Sequence, residues 1–109
     1  MAVVVNRFDV VMINLDPTVG SEIKKTRPCL VISPDEMNRH IRTVIIAPMT
    51  SASKDYPTRV SCRFKKKEGQ IVLDQIRTVD KGRFVKKLGA IDANAQLEVI
   101  SVLQKLFAL

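Results

Sequence analysis

Three short stretches of this 109-residue chain gather side chains that can handle a phosphate: Lys24-Lys25-Thr26-Arg27-Pro28, Ala47-Pro48-Met49-Thr50-Ser51 and Asp74-Gln75-Ile76-Arg77-Thr78. Arg27 stands before a proline, which restricts its backbone, and a guanidinium can hold two oxygens of one phosphate through parallel hydrogen bonds. Thr50 and Ser51 add hydroxyl and backbone donors. Each stretch also has a plain structural use: Arg27 paired with Glu22, Thr50 as a turn hydroxyl, Asp74 paired with Arg77. Other chemistries are poorly supplied. His40, beside Arg39 and Arg42, is the sole histidine, which leaves no two-histidine acid and base pair and reads as a surface residue. Asp9, Asp16, Asp35, Asp55, Asp74, Asp80 and Asp92 are scattered without ligand spacing, so no metal site is expected. Glycine occurs only at 20, 69, 82 and 89, which forbids a phosphate-cradling glycine loop. Cys29 and Cys62 lack a Cys-x-x-Cys spacing and read as free, buried thiols.

The frame for these residues is small. At this length one compact domain spanning 1–109 is expected, and 46% hydrophobic with 27% charged residues is ordinary globular usage, not disorder or low complexity. The longest apolar runs, such as Val44-Ile45-Ile46-Ala47, are far short of the roughly twenty residues a membrane helix needs. Residues 1–8 carry three valines but no basic leader, so a cytoplasmic protein without a signal peptide is expected. The formal charge of +7 is localised: residues 51–91 hold 11 Lys or Arg against 4 Asp or Glu. Such a segment suits a polyanionic partner, although a merely solvated basic face has the same composition.

Residues 10–15 form a branched apolar run stopped by Asp16-Pro17, which predicts a strand. The polar stretch 18–26 has no periodicity and reads as a mobile connection. Pro28 then opens a strand through Ser33; Asp35 should cap a short helical turn; and 43–49 is a further strand. Over 59–64 the alternation is strict, with Val60, Cys62 and Phe64 on the core face and Arg59, Ser61 and Arg63 opposite. Residues 65–69 read as a charged hairpin tip. One strand is predicted over 70–79, with Ile71, Leu73 and Gln75 opposed to Val72, Asp74 and Ile76. Asp92 caps a helix over 93–107, with Leu97, Ile100, Leu103, Leu106 and Phe107 at three- and four-residue steps to pack on the sheet. Val99 and Val102 widen this stripe enough to suggest a partner subunit.

Asp16-Pro17-Thr18-Val19-Gly20-Ser21-Glu22, followed by Thr26-Arg27-Pro28-Cys29-Leu30-Val31-Ile32-Ser33, resembles the opening of the MazF/PemK toxins of bacterial toxin-antitoxin systems. Thr43-Val44-Ile45-Ile46-Ala47-Pro48-Met49-Thr50-Ser51 and Val72-Leu73-Asp74-Gln75-Ile76-Arg77-Thr78-Val79-Asp80-Lys81 resemble that family's other two signature stretches, in the same order and spacing. The resemblance runs from about Phe8 to Leu106. It implies a mainly β fold with a C-terminal helix, an SH3-like small barrel of the MazF/PemK/CcdB type, assembled as a homodimer.

It also implies a sequence-specific endoribonuclease, an mRNA interferase, that cuts single-stranded RNA without metal, cofactor or ribosome. A cognate MazE-like antitoxin with an acidic C-terminal tail would block the RNA groove. The family pattern places Arg27 and Thr50 at the catalytic positions: Arg27 for phosphate charge and proton transfer, Thr50 with Ser51 for holding phosphate oxygens. Ser21, Glu22, Gln75 and Arg77 match positions used near RNA, with Ser51, Lys54 and Asp74 completing the expected contacts, Lys54 on charge alone. Glu22 and Asp74 are each candidates for the base or for orienting Arg27. With Tyr56 and four phenylalanines as the only aromatics, stacking surfaces are scarce. Two positions depart from the pattern: Phe8 stands where members often carry Gly, and Val72 where some carry a basic catalytic residue. The alternatives are a gyrase-poison toxin of the sister family and an inactive RNA-binding barrel.

Overall fold

The computed structural model describes residues 4–109; the part of the leader reading that concerns Met1, Ala2 and Val3 lies outside them. Seven strands and two helices follow in the order β1 (Asp9–Asn14), β2 (Thr26–Val31), α1 (Asp35–His40), β3 (Thr43–Thr50), β4 (Arg59–Phe64), β5 (Lys67–Val72), β6 (Arg77–Asp80), β7 (Phe84–Ala90) and α2 (Ala93–Phe107). The sheet order is β4-β5-β3-β2-β1-β7, with β6 also paired to β3. Such a bent, mainly β half-barrel with a C-terminal helix is the architecture the sequence predicts.

Both faces of the central strands are covered, which explains why β1 is an almost unbroken apolar run. Val10 and Leu30 point into a core shared with Met49, Val60, Ile71, Leu73 and, from α2, Ala95 and Val99. Val11, Ile13, Cys29 and Val31 point the other way, against Val44, Ile46 and Val79. Leu30, Ile46, Ile71 and Leu73 are fully enclosed; truncating any of them to alanine costs about 2–5 kcal/mol.

Several expectations change. The strand predicted over 70–79 is two strands separated by a 3-10 turn, Leu73–Gln75. β5 pairs Met49 with Ile71, while β6 pairs Ile46 with Arg77, so the register slips by three residues opposite Ala47 and Pro48. Pro48 has no N–H to donate, and the ladder breaks beside it. Alternation breaks too: Ile71, Val72 and Leu73 are all buried. Pro28 lies inside β2, which starts at Thr26. The hairpin tip is only Lys65 and Lys66, at φ 49 and 65, while Lys67, Glu68 and Gly69 already belong to β5. Both φ values are positive, as a two-residue turn between twisted strands requires.

Asp35 does not cap α1. Pro34 stands at the cap position without a side-chain bond, and the Asp35 carboxylate accepts the Arg7 N–H at 2.6 Å. Asp92 does cap α2, accepting the Ala95 N–H at 2.8 Å. The packing face of α2 is rotated from the predicted stripe: Ala95 and Val99 are buried with Val102 and Leu103 beside them, whereas Leu97 and Phe107 are 72% and 69% exposed. β7 was not anticipated, because its lysines hide the strand pattern. It closes on β1 with two register shifts. Phe8 has φ 76. Its ring packs on the first core, which offsets a backbone conformation that glycine adopts without strain.

Candidate active site and RNA-facing surface

Arg27 sits on β2, paired with Ile13 on one side. On the other side the β2–β3 ladder runs from Val31 with Ile46 to Cys29 with Pro48, and Arg27 and Thr50 each lie two residues beyond that last pair. Both line a cavity of about 220 Å³, together with Pro28, Met49 and Ser51. The β4–β5 hairpin supplies the opposite wall through Cys62, Phe64, Lys67, Glu68 and Gly69. The base of this cavity is apolar and its rim carries charge. Arg27 donates through Nε to the Lys24 carbonyl at 3.2 Å, a bond that orients the guanidinium while using neither Nη group. The Thr50 hydroxyl oxygen accepts the Ala52 N–H at 3.1 Å, so its proton remains to be donated. The turn role foreseen for Thr50 is therefore present alongside its place in the cavity.

The approach of the two walls is close. A Cβ on Gly69 would lie 2.8 Å from the Thr50 carbonyl oxygen. Next to Gly69, the buried Gln70 amide donates to the Lys54 carbonyl at 2.8 Å and accepts the Lys54 N–H at 3.1 Å. Lys54 does not line this cavity, but this pair of bonds fixes its backbone, and its residue is exposed.

A second cavity, about 300 Å³, is lined by Glu22, Ile23, Pro48, Asp74, Gln75, Ile76 and Arg77. Asp74 and Gln75 reach it because the register slip beside Pro48 lifts the 3-10 turn out of the sheet. Most of its polar groups are already engaged. Gln75 Oε1 accepts the Ile23 N–H at 2.8 Å, and Arg77 Nη1 donates to the Leu15 carbonyl at 3.1 Å. Arg83 Nη1 donates to the Asn14 carbonyl at 3.2 Å and to the Asp16 carbonyl. Three successive carbonyls at the end of β1 thus accept from two arginines, and Gln75 ties the far side of the loop over 15–25. Glu22 accepts the Val19 N–H at 2.5 Å, and Asp16 accepts the Lys25 N–H at 3.1 Å.

Neither foreseen ion pair forms. Asp74 takes Arg59 at 3.3 Å and the Thr58 hydroxyl at 3.0 Å, instead of Arg77. Glu22 and Arg27 each bond to nearby backbone, not to one another. The structure therefore brings Arg27, Thr50 and Ser51 together in one cavity and Glu22, Asp74, Gln75 and Arg77 in another, while Ser21 is exposed on the loop. Sequence reasoning missed Phe64, Lys67 and Glu68; a two-residue turn at Lys65 and Lys66 was the signal that would have paired Phe64 with Lys67 and Arg63 with Glu68. It also missed Arg59 and Arg83.

The thiols are poor nucleophiles. Burial pushes Cys29 up to about 12, against the opposing charges of Arg77 and Arg27. Burial raises Cys62 as well, with Asp92, Glu68 and Glu98 adding to it. His40 is exposed and lines neither cavity. Among the described residues no group of three His, Cys, Asp or Glu could hold a metal ion, and no helix is long and apolar enough to cross a membrane.

A mainly β half-barrel with a C-terminal helix matches a known class. Residues 6–107 match the model of the PemK-like, MazF-like toxins of type II toxin-antitoxin systems. The chain belongs to this family. It is 38% identical over 112 residues to the endoribonuclease EndoA of Bacillus subtilis, covering 97% of each protein. Its structure is similar to that of MazF from Deinococcus radiodurans, with TM-score 0.86 and 28% identity over 98% of this chain and 99% of that one. It is also similar to a chain of the MazE–MazF complex from the same organism, with TM-score 0.81, 28% identity and 98% coverage of both.

Proposed function

We propose that this toxin cuts single-stranded RNA at specific sequences by attack of a ribose 2′-hydroxyl on the adjacent phosphorus, needing neither metal nor ribosome. The chain is an endoribonuclease of the toxin class; the proposal concerns how it cuts. The observation that carries it is the convergence of Arg27 and Thr50 on one cavity. In the reaction the 2′-oxygen forms a bond to phosphorus, the bond to the 5′-oxygen breaks, and the products are a 2′,3′-cyclic phosphate and a 5′-hydroxyl. Negative charge builds on the non-bridging oxygens. The two Nη groups of Arg27 meet that charge, and the Thr50 hydroxyl and Ser51 hold the oxygens. The 2′-hydroxyl proton passes to a carboxylate. Asp74 holds Arg59 and Thr58 through Oδ1, and Glu22 holds the Val19 N–H through Oε1, so the second oxygen of either, or the Glu68 carboxylate at the first cavity, is the acceptor. Arg27 assists the proton's arrival at the 5′-oxygen.

The RNA runs over both cavities, past Ser21, Glu22, Lys54, Gln75 and Arg77. The acidic tail of a MazE-like antitoxin competes for the same surface, as the charge of residues 51–91 favours. The unit is one domain over 1–109 acting in the cytoplasm as a homodimer, joined in part through the exposed Leu97, Leu106 and Phe107 of α2.

The test incubates the purified protein with a long single-stranded RNA in excess EDTA, wild type beside Arg27→Ala, and maps the product ends. Discrete cuts ending in cyclic phosphate, slowed about 100-fold or more in the variant, are expected, since losing one oriented charge-stabilising group costs roughly that much. Toxicity that survives Arg27→Ala, with no cleavage by the wild type, would instead point to a gyrase poison.

A further inference from the structure

Tyr56 is a half-exposed aromatic ring, 51% accessible, at the turn before β4. The Arg59 guanidinium lies 4.9 Å from its ring centroid. Arg59 is not free to leave: its Nε is 3.3 Å from Asp74 Oδ1, and only 11% of its side chain is exposed. The turn itself is tied to the 3-10 segment, because Thr58 donates through its hydroxyl to Asp74 at 3.0 Å and accepts the Leu73 N–H at 3.2 Å. The Arg59 N–H closes the turn on the Tyr56 carbonyl at 3.1 Å. A ring usually mobile on a surface is thus backed by a cation and anchored through Asp74, which lines the second cavity.

We propose that the open face of Tyr56 is the platform on which one unpaired base of the RNA stacks as the strand enters or leaves the second cavity. This rests on the reading of the chain as a single-stranded ribonuclease. Arg59 lies over the ring, and the 51% exposure of Tyr56 leaves aromatic surface in water that a base would cover. Stacking on a fixed ring is tolerant of base identity and costs little conformational entropy. Arg59 and Asp74 are positioning residues for the platform: Asp74 holds Arg59, and Arg59 holds the ring.

The chain contains one tyrosine and no tryptophan, so its tyrosine emission reports on this ring alone. The probe is a 2′-O-methyl RNA of the sequence at the strongest mapped cut, which binds but cannot supply the attacking hydroxyl. Saturating it should quench the tyrosine emission beyond the absorbance correction measured with free tyrosine. Tyr56→Ala should weaken binding of a fluorescein-labelled copy about tenfold, in the range of stacking losses, and raise KM for the cleavable RNA with kcat near wild type. Tyr56→Phe and Tyr56→Trp should bind within about twofold of wild type.

Unchanged emission at saturation, or equal binding by wild type and Tyr56→Ala, overturns the proposal while leaving the ribonuclease reading intact. A fall in melting temperature for Tyr56→Ala with unchanged RNA affinity assigns the ring to covering the Arg59–Asp74 pair and likewise overturns it. So does a loss of antitoxin binding alone. If the wild type neither binds nor cuts RNA, both readings fall together, and the wild-type control reveals this.

Discussion

The two cavities share β3 yet are built on opposite plans. In the first, Arg27 uses only Nε internally and Thr50 keeps its proton, so the groups able to meet a phosphate are left uncommitted. In the second, Gln75, Arg77 and Asp74 spend their best atoms on Ile23, Leu15, Thr58 and Arg59. A charged side chain beside a site is therefore not necessarily a contact with the substrate. In the proposed mechanism the phosphate is met in the first cavity, while the bonds made within the second shape the loop and turn that frame it.

The largest separation of the two plans should come from paired arginine variants. Arg27→Ala should lose cutting about 100-fold with a melting temperature close to wild type. Arg77→Ala should lose about 1–3 kcal/mol of stability, because it leaves the Leu15 carbonyl without its charged donor. Its amide exchange should rise across residues 17–24, and cutting should fall less than for Arg27→Ala. Equal stability losses in the two variants, by thermal melting and exchange, would erase the distinction.

Gln75→Glu sharpens it further. A glutamate retains an oxygen for the Ile23 N–H but brings a negative charge. If Gln75 only anchors the loop, melting and exchange stay near wild type while RNA binding weakens a few-fold through charge alone. Gln75→Ala, in contrast, should cost about 1 kcal/mol of stability.

The smallest effect concerns the thiols. Cys29 is held protonated up to about 12, above its ordinary 9.0. A raised value in the fold means that its contribution to stability is complete below pH 9 and is lost as the pH rises through about 12. Native protein at pH 8 should leave Cys29 unmodified by iodoacetamide, with modification appearing only on unfolding, as mass spectrometry would show.

Local pattern was enough to find β1, β3, β4 and α2 with its Asp92 cap, because each carries its own periodicity. It failed where a distant residue decides. The break between β5 and β6 falls opposite Pro48 on a neighbouring strand, and the buried face of α2 is the one that meets Val60, Ile71 and Leu73 of the core. β7 was hidden by Lys86 and Lys87, whose strand is covered on one side by β1 alone. The candidate site was more legible: Arg27, Thr50 and Ser51 do meet. The partners of Asp74 were not, since Thr58 and Arg59 lie 16 and 15 positions away and only the β4–β5 pairing brings them close.

Gly69 makes the first cavity sensitive to a single carbon. Its two walls are spaced by an atom that is not there, 2.8 Å from Thr50. The hairpin keeps its distance from Thr50 only while this one position carries no side-chain carbon. A single methyl group would act as a shim, moving the Lys67 and Glu68 wall away from Arg27 while altering no charge at all.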